Sequence, residues 1–198
     1  MMKRCKWVGD DALMKQYHDE EWGVPVHDDT KLFEFIILDG FQAGLSWRTI
    51  LHKRDNFRKA LDYFDADEIA DYNEKKIQEL LNNNGIVRNK LKIKACITNA
   101  QAFLKIQMQY GSFDRYIWQF TEGRTITNQW QKHEDIPVTS KESDAMSKGL
   151  KSKGFSFVGS TICYAFMQAA GMVNDHTTDC FRYGELLSEG HKESHCKI

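Results

Sequence analysis

Two prolines in 198 residues, and no long serine- or glycine-rich run, leave no room for a flexible linker. No apolar run approaches the roughly 20 residues of a membrane span. Met1 to Val8 carries Lys3, Arg4 and Lys6 but no apolar stretch of signal-peptide length. The chain is therefore expected to be soluble and cytoplasmic, without a membrane partner. An excess of one charge is also missing: 27 Lys and Arg stand against 28 Asp and Glu, a net charge of −1. Binding to a polyanion would have to use a local positive surface. Period-two alternation is nearly absent, which argues against a sheet protein, and no internal repeat emerges. The five cysteines, Cys5, Cys96, Cys163, Cys180 and Cys196, are an odd number in a cytosolic-looking chain. A disulfide framework is not expected, and thiol or metal chemistry is.

What the chain does have is helical periodicity and enough apolar residues, 41%, to bury a substantial core. Capping residues divide it. Asp11 opens a helix to about Asp19, Ser46 opens one to about Lys53, and Asp55, Asp65 and Asn73 stand where further short helices would begin. A brief extended piece is expected around Thr125 to Thr127. Ser143 is expected to cap a helix ending at Gly154, and Gly159-Ser160-Thr161 to open an apolar, buried helix. Residues 1–183 read as one helical domain, or two closely packed lobes, and residues 184–198 as a polar, flexible tail.

Leu38-Asp-Gly-Phe-Gln-Ala-Gly-Leu-Ser-Trp47 places a carboxylate, two glycines, an amide and an indole within ten residues, after the apolar helical run Lys31 to Leu38. Glycines inside a helical pattern suggest that the backbone opens here. Asp39 would then end one helix and Trp47 start the next, forming a pocket rim; the plainer alternative is a helix corner capped by Asp39 and Ser46. Trp7, Tyr17, Trp22 and Trp47 all lie in the first quarter of the chain. Ring faces around one carboxylate suit a flat cationic ligand, although each ring alone is equally consistent with core packing.

Two further patterns carry chemistry. A helix ending at Leu80 and Leu81, the turn Asn82-Asn83-Asn84-Gly85 and a helix through Leu91 and Phe103 form a hairpin whose second helix begins with Arg88, Lys90, Lys92 and Lys94. Cations beside free N–H groups can hold a phosphate, and can equally be a solvated face. His176 and Cys180 would share a face of one helical turn. With Cys5 and His18 they could complete a Cys2His2 tetrahedron that staples the two ends of the chain, though the spacing between Cys5 and His18 is unusually wide.

Arg4-Cys5-Lys6-Trp7, Tyr17-His18-Asp19-Glu20-Glu21-Trp22-Gly23-Val24-Pro25, Gln42-Ala43-Gly44-Leu45-Ser46-Trp47, Gly154-Phe155, Phe157-Val158-Gly159, Ile162-Cys163-Tyr164 and Asn174-Asp175-His176 resemble the bacterial DNA-3-methyladenine glycosylase I family. The resemblance runs from Arg4 to about Cys180. It implies an all-α helix-hairpin-helix glycosylase fold and hydrolysis of the N-glycosidic bond of 3-methyladenine in double-stranded DNA, releasing the free base without strand cleavage. It also implies one structural zinc on Cys5, His18, His176 and Cys180. Trp7, Tyr17, Trp22, Asp39 and Trp47 would form the base pocket, with Tyr17, Asp39 and Trp47 as its catalytic members. Gln42, Gly44, Leu45, Arg88, Lys90, Lys92, Ser160 and Thr161 would contact DNA, Leu45 filling the gap left by the flipped base. A monomer is expected.

In two places the chain departs from the family pattern: Leu38-Asp39-Gly40 stands where the family reads Leu-Glu-Gly, and Met14 where some members carry an aromatic. Two alternatives remain open at this level. One is a glycosylase that also cuts the strand, using a hairpin lysine such as Lys90, Lys92 or Lys94 with Asp114; the other is a non-catalytic binder of damaged DNA.

Overall fold

Side-chain oxygens start most of the helices. In the computed structural model, which describes residues 2–193 and side chains to residue 188, Asp11 accepts from the N–H groups of Leu13 and Met14 to open α1 (Ala12–Glu20). Asp28 opens α2 (Asp29–Gln42) and Ser46 opens α3 (Trp47–Ala60). Asp65, Asn73, Asn89, Ser112 and Ser140 likewise cap α4 (Ala66–Ala70), α5 (Glu74–Asn82), α6 (Lys90–Tyr110), α7 (Phe113–Trp118) and α8 (Lys141–Ser152). Each cap satisfies N–H groups that have no partner within the helix. α9 (Ser160–Ala169) begins at Gly159 without a side-chain cap, and α10 (Phe181–Glu193) closes the described chain. Two short strands, β1 (Ile126–Thr127) and β2 (Val173–Asn174), pair in parallel. No described helix is long and apolar enough to cross a membrane.

α2 is the axis of the fold. Every residue from Leu32 to Phe41 is buried, because α3, α6, α7 and α9 pack around this helix. Its one buried glutamate, Glu34, is held by Arg58 at 2.8 Å, as a charge inside a core requires. A second, smaller cluster gathers Cys5, Val8, Met14, Tyr17, Trp22, Leu51 and Cys180. Between the two, the segment after α1 is laid against the end of α9 by bonds from Gly23 N to Gln168 O (3.0 Å) and from Val26 N to Ala170 O (3.1 Å). Only glycine serves at Gly171, where φ is +69° and a Cβ would lie 2.3 Å from the Val24 carbonyl carbon.

Several sequence-based boundaries move. α2 runs unbroken through Asp39 and Gly40, since tertiary packing overrides the weak propensity of one glycine, and the chain turns at Gly44, where φ is +79°. Asp55 lies inside α3, paired with Arg58 at 3.2 Å, instead of starting a helix. Ser143 is the third residue of α8 and bonds reciprocally with the true cap, Ser140. Residues 184–193, expected in a tail, belong to α10, where Leu186 is buried. His195 and Cys196 lie outside the described residues.

Candidate functional site

A cavity of about 400 Å³ opens where the two apolar clusters meet. α1 contributes Met14 and Tyr17, α2 contributes Asp39 and Gln42, and α3 contributes Trp47 from its first turn. Trp7 enters from the 3-10 turn Lys6–Val8 and Trp22 from the segment beyond α1. The helix corner expected around residues 38–47 is thus also a cavity rim. The rings interlock: Trp7 and Trp22 have centroids 5.0 Å apart at 72°, and Tyr17 and Trp47 5.1 Å apart at 47°.

The electrostatics are unusual for a core. Asp39 is 2% exposed, and its Oδ2 has no hydrogen-bond partner. Burial alone pushes its carboxyl well above the usual carboxylate range. Burial and the charge of Asp39 push the Tyr17 hydroxyl up as well. The indole N–H groups of Trp7 and Trp47 are also buried without partners. Unpaired buried polar atoms are rare in native proteins. An acceptor and two donors around one aromatic cavity match a flat, polar ligand better than a packing fault.

Behind this cavity lie Cys5, His18, His176 and Cys180, all buried, their ligand atoms within 4.8 Å of one another. The Sγ of Cys5 is 3.6 Å from His176 Nδ1, and the Sγ of Cys180 is 3.4 Å from His18 Nε2 and 3.5 Å from His176 Nδ1. Tetrahedral zinc–sulfur and zinc–nitrogen bonds of about 2.3 and 2.0–2.1 Å give edges of roughly 3.5 Å, so the donor set fits such an ion. The remaining ring nitrogens are engaged: His18 Nδ1 with Asp19 at 2.8 Å, and His176 Nε2 with the Trp22 carbonyl at 3.0 Å. Arg4 in turn grips Asp19. This is how ligating histidines are usually oriented. The close approach of the Cys5 and Cys180 thiols drives Cys180 below the ordinary thiol range and Cys5 above it. His176 and Cys180 share no helix; a turn closed by Cys180 N to Thr177 O at 2.8 Å brings them together.

The residues expected at DNA fare unevenly. Leu45 is 43% exposed at the tip after Gly44, and Gln42 lines the cavity just before it. Arg88 and Lys90 are exposed at the start of α6, and Ser160 and Thr161 begin α9. Lys92 differs from its neighbours: it is 7% exposed and donates to the carbonyls of Phe41 (2.8 Å) and Ala43 (2.6 Å), so its ammonium is engaged within the protein. Sequence reading missed His133, Ile136, Ala165 and Gln168 of the cavity wall. Nothing in the pattern signals the first two, while the last two lie on α9, which the sequence marked only as buried.

A family model described as methyladenine glycosylase matches residues 7–183. DNA-3-methyladenine glycosylase 1 of Escherichia coli (strain K12) is 46% identical over 182 residues, covering 92% of this chain and 97% of the relative. A crystal structure of 3-methyladenine DNA glycosylase I superposes with a TM-score of 0.89 at 49% identity, covering 90% of this chain and 98% of that one. The Staphylococcus aureus 3-methyladenine DNA glycosylase I, whose structure addresses 3-methyladenine recognition, superposes with a TM-score of 0.88 at 33% identity, covering 91% of this chain and 96% of that one.

Proposed function

The chain belongs to the methyladenine glycosylase family, and from that premise we propose how its residues remove 3-methyladenine from DNA in base excision repair. The observation that carries the reading is the buried, unpartnered carboxylate of Asp39 within a ring of aromatic side chains. Methylation at N3 leaves the adenine of a nucleotide positively charged, and its glycosidic bond is weak for that reason. The enzyme flips the nucleotide out of the stack. Tyr17, Trp22 and Trp47 stack on the base with Trp7 beside them, and Asp39 accepts from its exocyclic N–H while offsetting its charge. The carboxylate is costly to ionise in the free protein and gains a cation when the base enters, so binding energy is directed at the charged nucleotide. As the bond breaks, its electron pair passes to the base and cancels that charge. Water adds to C1′ of the sugar and loses a proton, and neutral 3-methyladenine leaves.

α5 and α6 form the hairpin of a helix-hairpin-helix glycosylase, with Arg88 and Lys90 on the DNA phosphates and Leu45 in the gap left by the base. Strand cleavage is not part of this reading. Lys92 is bound to carbonyls, and Asp114 pairs with His27 at 2.7 Å at the start of α7, away from the cavity. Zinc is the metal proposed for Cys5, His18, His176 and Cys180; with four protein ligands it supplies a cross-link and leaves no open position. The enzyme acts as a cytoplasmic monomer.

The test is release of free base from methylated duplex DNA, with strand nicks scored without heat or alkali. Release without nicks is expected, and Asp39→Asn should slow single-turnover release by one to two orders of magnitude, roughly 1.5–3 kcal/mol. Nicks would indicate a strand-cleaving enzyme. Binding without release would indicate a non-catalytic binder.

A further inference from the structure

The cavity wall facing α2 is made by Ala165 and Gln168, three residues apart on one face of α9. α9 packs directly on α2, the helix that carries Asp39. A glutamine side chain ends in a donor and an acceptor of nearly equal shape, and its neighbours decide which end faces the ligand. Here the deciding neighbour is Asp175, which is fully buried. Its two oxygens accept from Asn128 Nδ2, Trp130 Nε1 and the Tyr164 hydroxyl, each at 2.7 Å, and from Gln168 Nε2 at 2.8 Å. A carboxylate surrounded by donors can only accept. Turning the Gln168 amide over would set oxygen against oxygen at that distance. Gln168 therefore spends its N–H on Asp175, and its Oε1, which makes no hydrogen bond among the described residues, is the polar end left for the cavity.

Resting on the glycosylase reading above, we infer that Gln168 is a specificity-determining residue whose fixed Oε1 accepts from the exocyclic amino group of the flipped base, beside Asp39. An adenine-type base brings two N–H donors at that position, one for each acceptor. A 6-oxopurine brings an oxygen there and leaves the fixed Oε1 of Gln168 facing another acceptor. Sites built to hydrogen-bond a group discriminate strongly against the analogue that lacks it, because their own buried polar atoms are then stranded. Asp175 is a positioning residue in this arrangement, acting through Gln168.

The experiment titrates the tryptophan fluorescence of the metal-loaded protein with free 3-methyladenine and with 3-methylhypoxanthine, which differ in carrying an amino group or an oxygen at the tested position and in the one ring N–H that accompanies the oxygen; the change in preference between wild type and variant isolates the contact of Gln168. Wild type should prefer 3-methyladenine by at least about tenfold. Gln168→Met, similar in length but without the acceptor, should reduce that preference by roughly fivefold to tenfold. Metal content should stay at its wild-type value, and melting temperature should fall by no more than the several degrees that losing one of the four donors to Asp175 costs. Gln168→Leu repeats the comparison with another apolar shape, so that a folding defect in one variant does not decide the result. A wild type indifferent to the two bases, or folded variants that keep the full preference, would overturn the inference. General damage to the pocket would weaken both ligands together and leave the ratio unmoved. Absence of base release from methylated DNA by wild type would overturn the glycosylase reading, and the binding ratio would still judge Gln168.

Discussion

At Asp39 binding and stability pull in opposite directions. Its folded-state pKa lies well above the usual range because the group is buried. Below the unfolded value of about 3.9, both folded and unfolded chains carry the proton and burial costs nothing on this account. As pH rises past that value the unfolded chain releases its proton first, and stability falls until the raised folded pKa is passed. Asp39→Asn, which cannot ionise, should therefore raise the melting temperature at neutral pH by a few degrees while it impairs excision. A melting temperature that drops instead would mean the carboxylate has a partner that stabilises its charge. Excision measured as kcat/KM should decline on acidification through the raised pKa, and this limb should vanish in Asp39→Asn. Reach is the second question, since aspartate is one methylene shorter than the glutamate of the family pattern. If Gly40, whose Cβ position is only 3.6 Å from Phe157, lets the turn of α2 crowd the pocket enough for aspartate, Asp39→Glu should slow single-turnover excision by about tenfold or more. Faster excision would show that the pocket has not adapted.

At the scale of elements, α6 does two jobs that the sequence ran together. Arg88, just before its cap, and Lys90, its first residue, face solvent, while Lys92, two residues further on, turns inward to the carbonyls at the end of α2. Burial lowers the pKa of this ammonium, and a cation at a helix C-terminus complements the dipole there. It thereby anchors the segment carrying Leu45. Neutralising Arg88 and Lys90 together should reduce the slope of log affinity against log salt by roughly two units, about 0.9 for each phosphate contact. Lys92→Met should leave that slope alone, cost about 1–3 kcal/mol of stability by stranding buried carbonyls, and lower excision through a displaced tip. A salt slope altered by Lys92→Met would return this lysine to the DNA contacts.

Across the whole molecule, the Cys5, His18, His176 and Cys180 cluster joins residues from the two ends of the described chain and supports the cavity at the same time. Trp22 packs on His176 at 4.6 Å and stacks on His18 at 6.2 Å, so this wall of the cavity rests on the Cys/His cluster. Cys180→Ala should lose the bound metal, expected as about one zinc per chain. It should also lower the melting temperature on the order of 10 °C, since metal binding energy is folding energy. Excision per folded molecule should change only a few fold, because the cluster touches the pocket through Trp22 and not through the base. Full metal content in this variant would sink the assignment.

The sequence by itself determined the helical class, the N-caps Asp11, Ser46, Asp65 and Asn73 and the aromatic residues of the pocket, because these rest on local signals: period, capping oxygens and the composition of short blocks. Its family blocks also named the four members of the buried Cys/His cluster, although spacing alone left Cys5 and His18 loosely tied to the other pair. Only the tertiary structure decided what depends on neighbours distant in the chain. Gly40 stays helical because four helices pack around α2. Lys92 turns inward because the end of α2 lies beside it, and His176 meets Cys180 through a turn instead of a helix. Gln168 gains a direction only from Asp175, Asn128 and Trp130, which periodicity cannot place beside it. Hydrogen-bond partners are set by packing across the chain, and a one-dimensional pattern carries no record of which way a buried side chain must face.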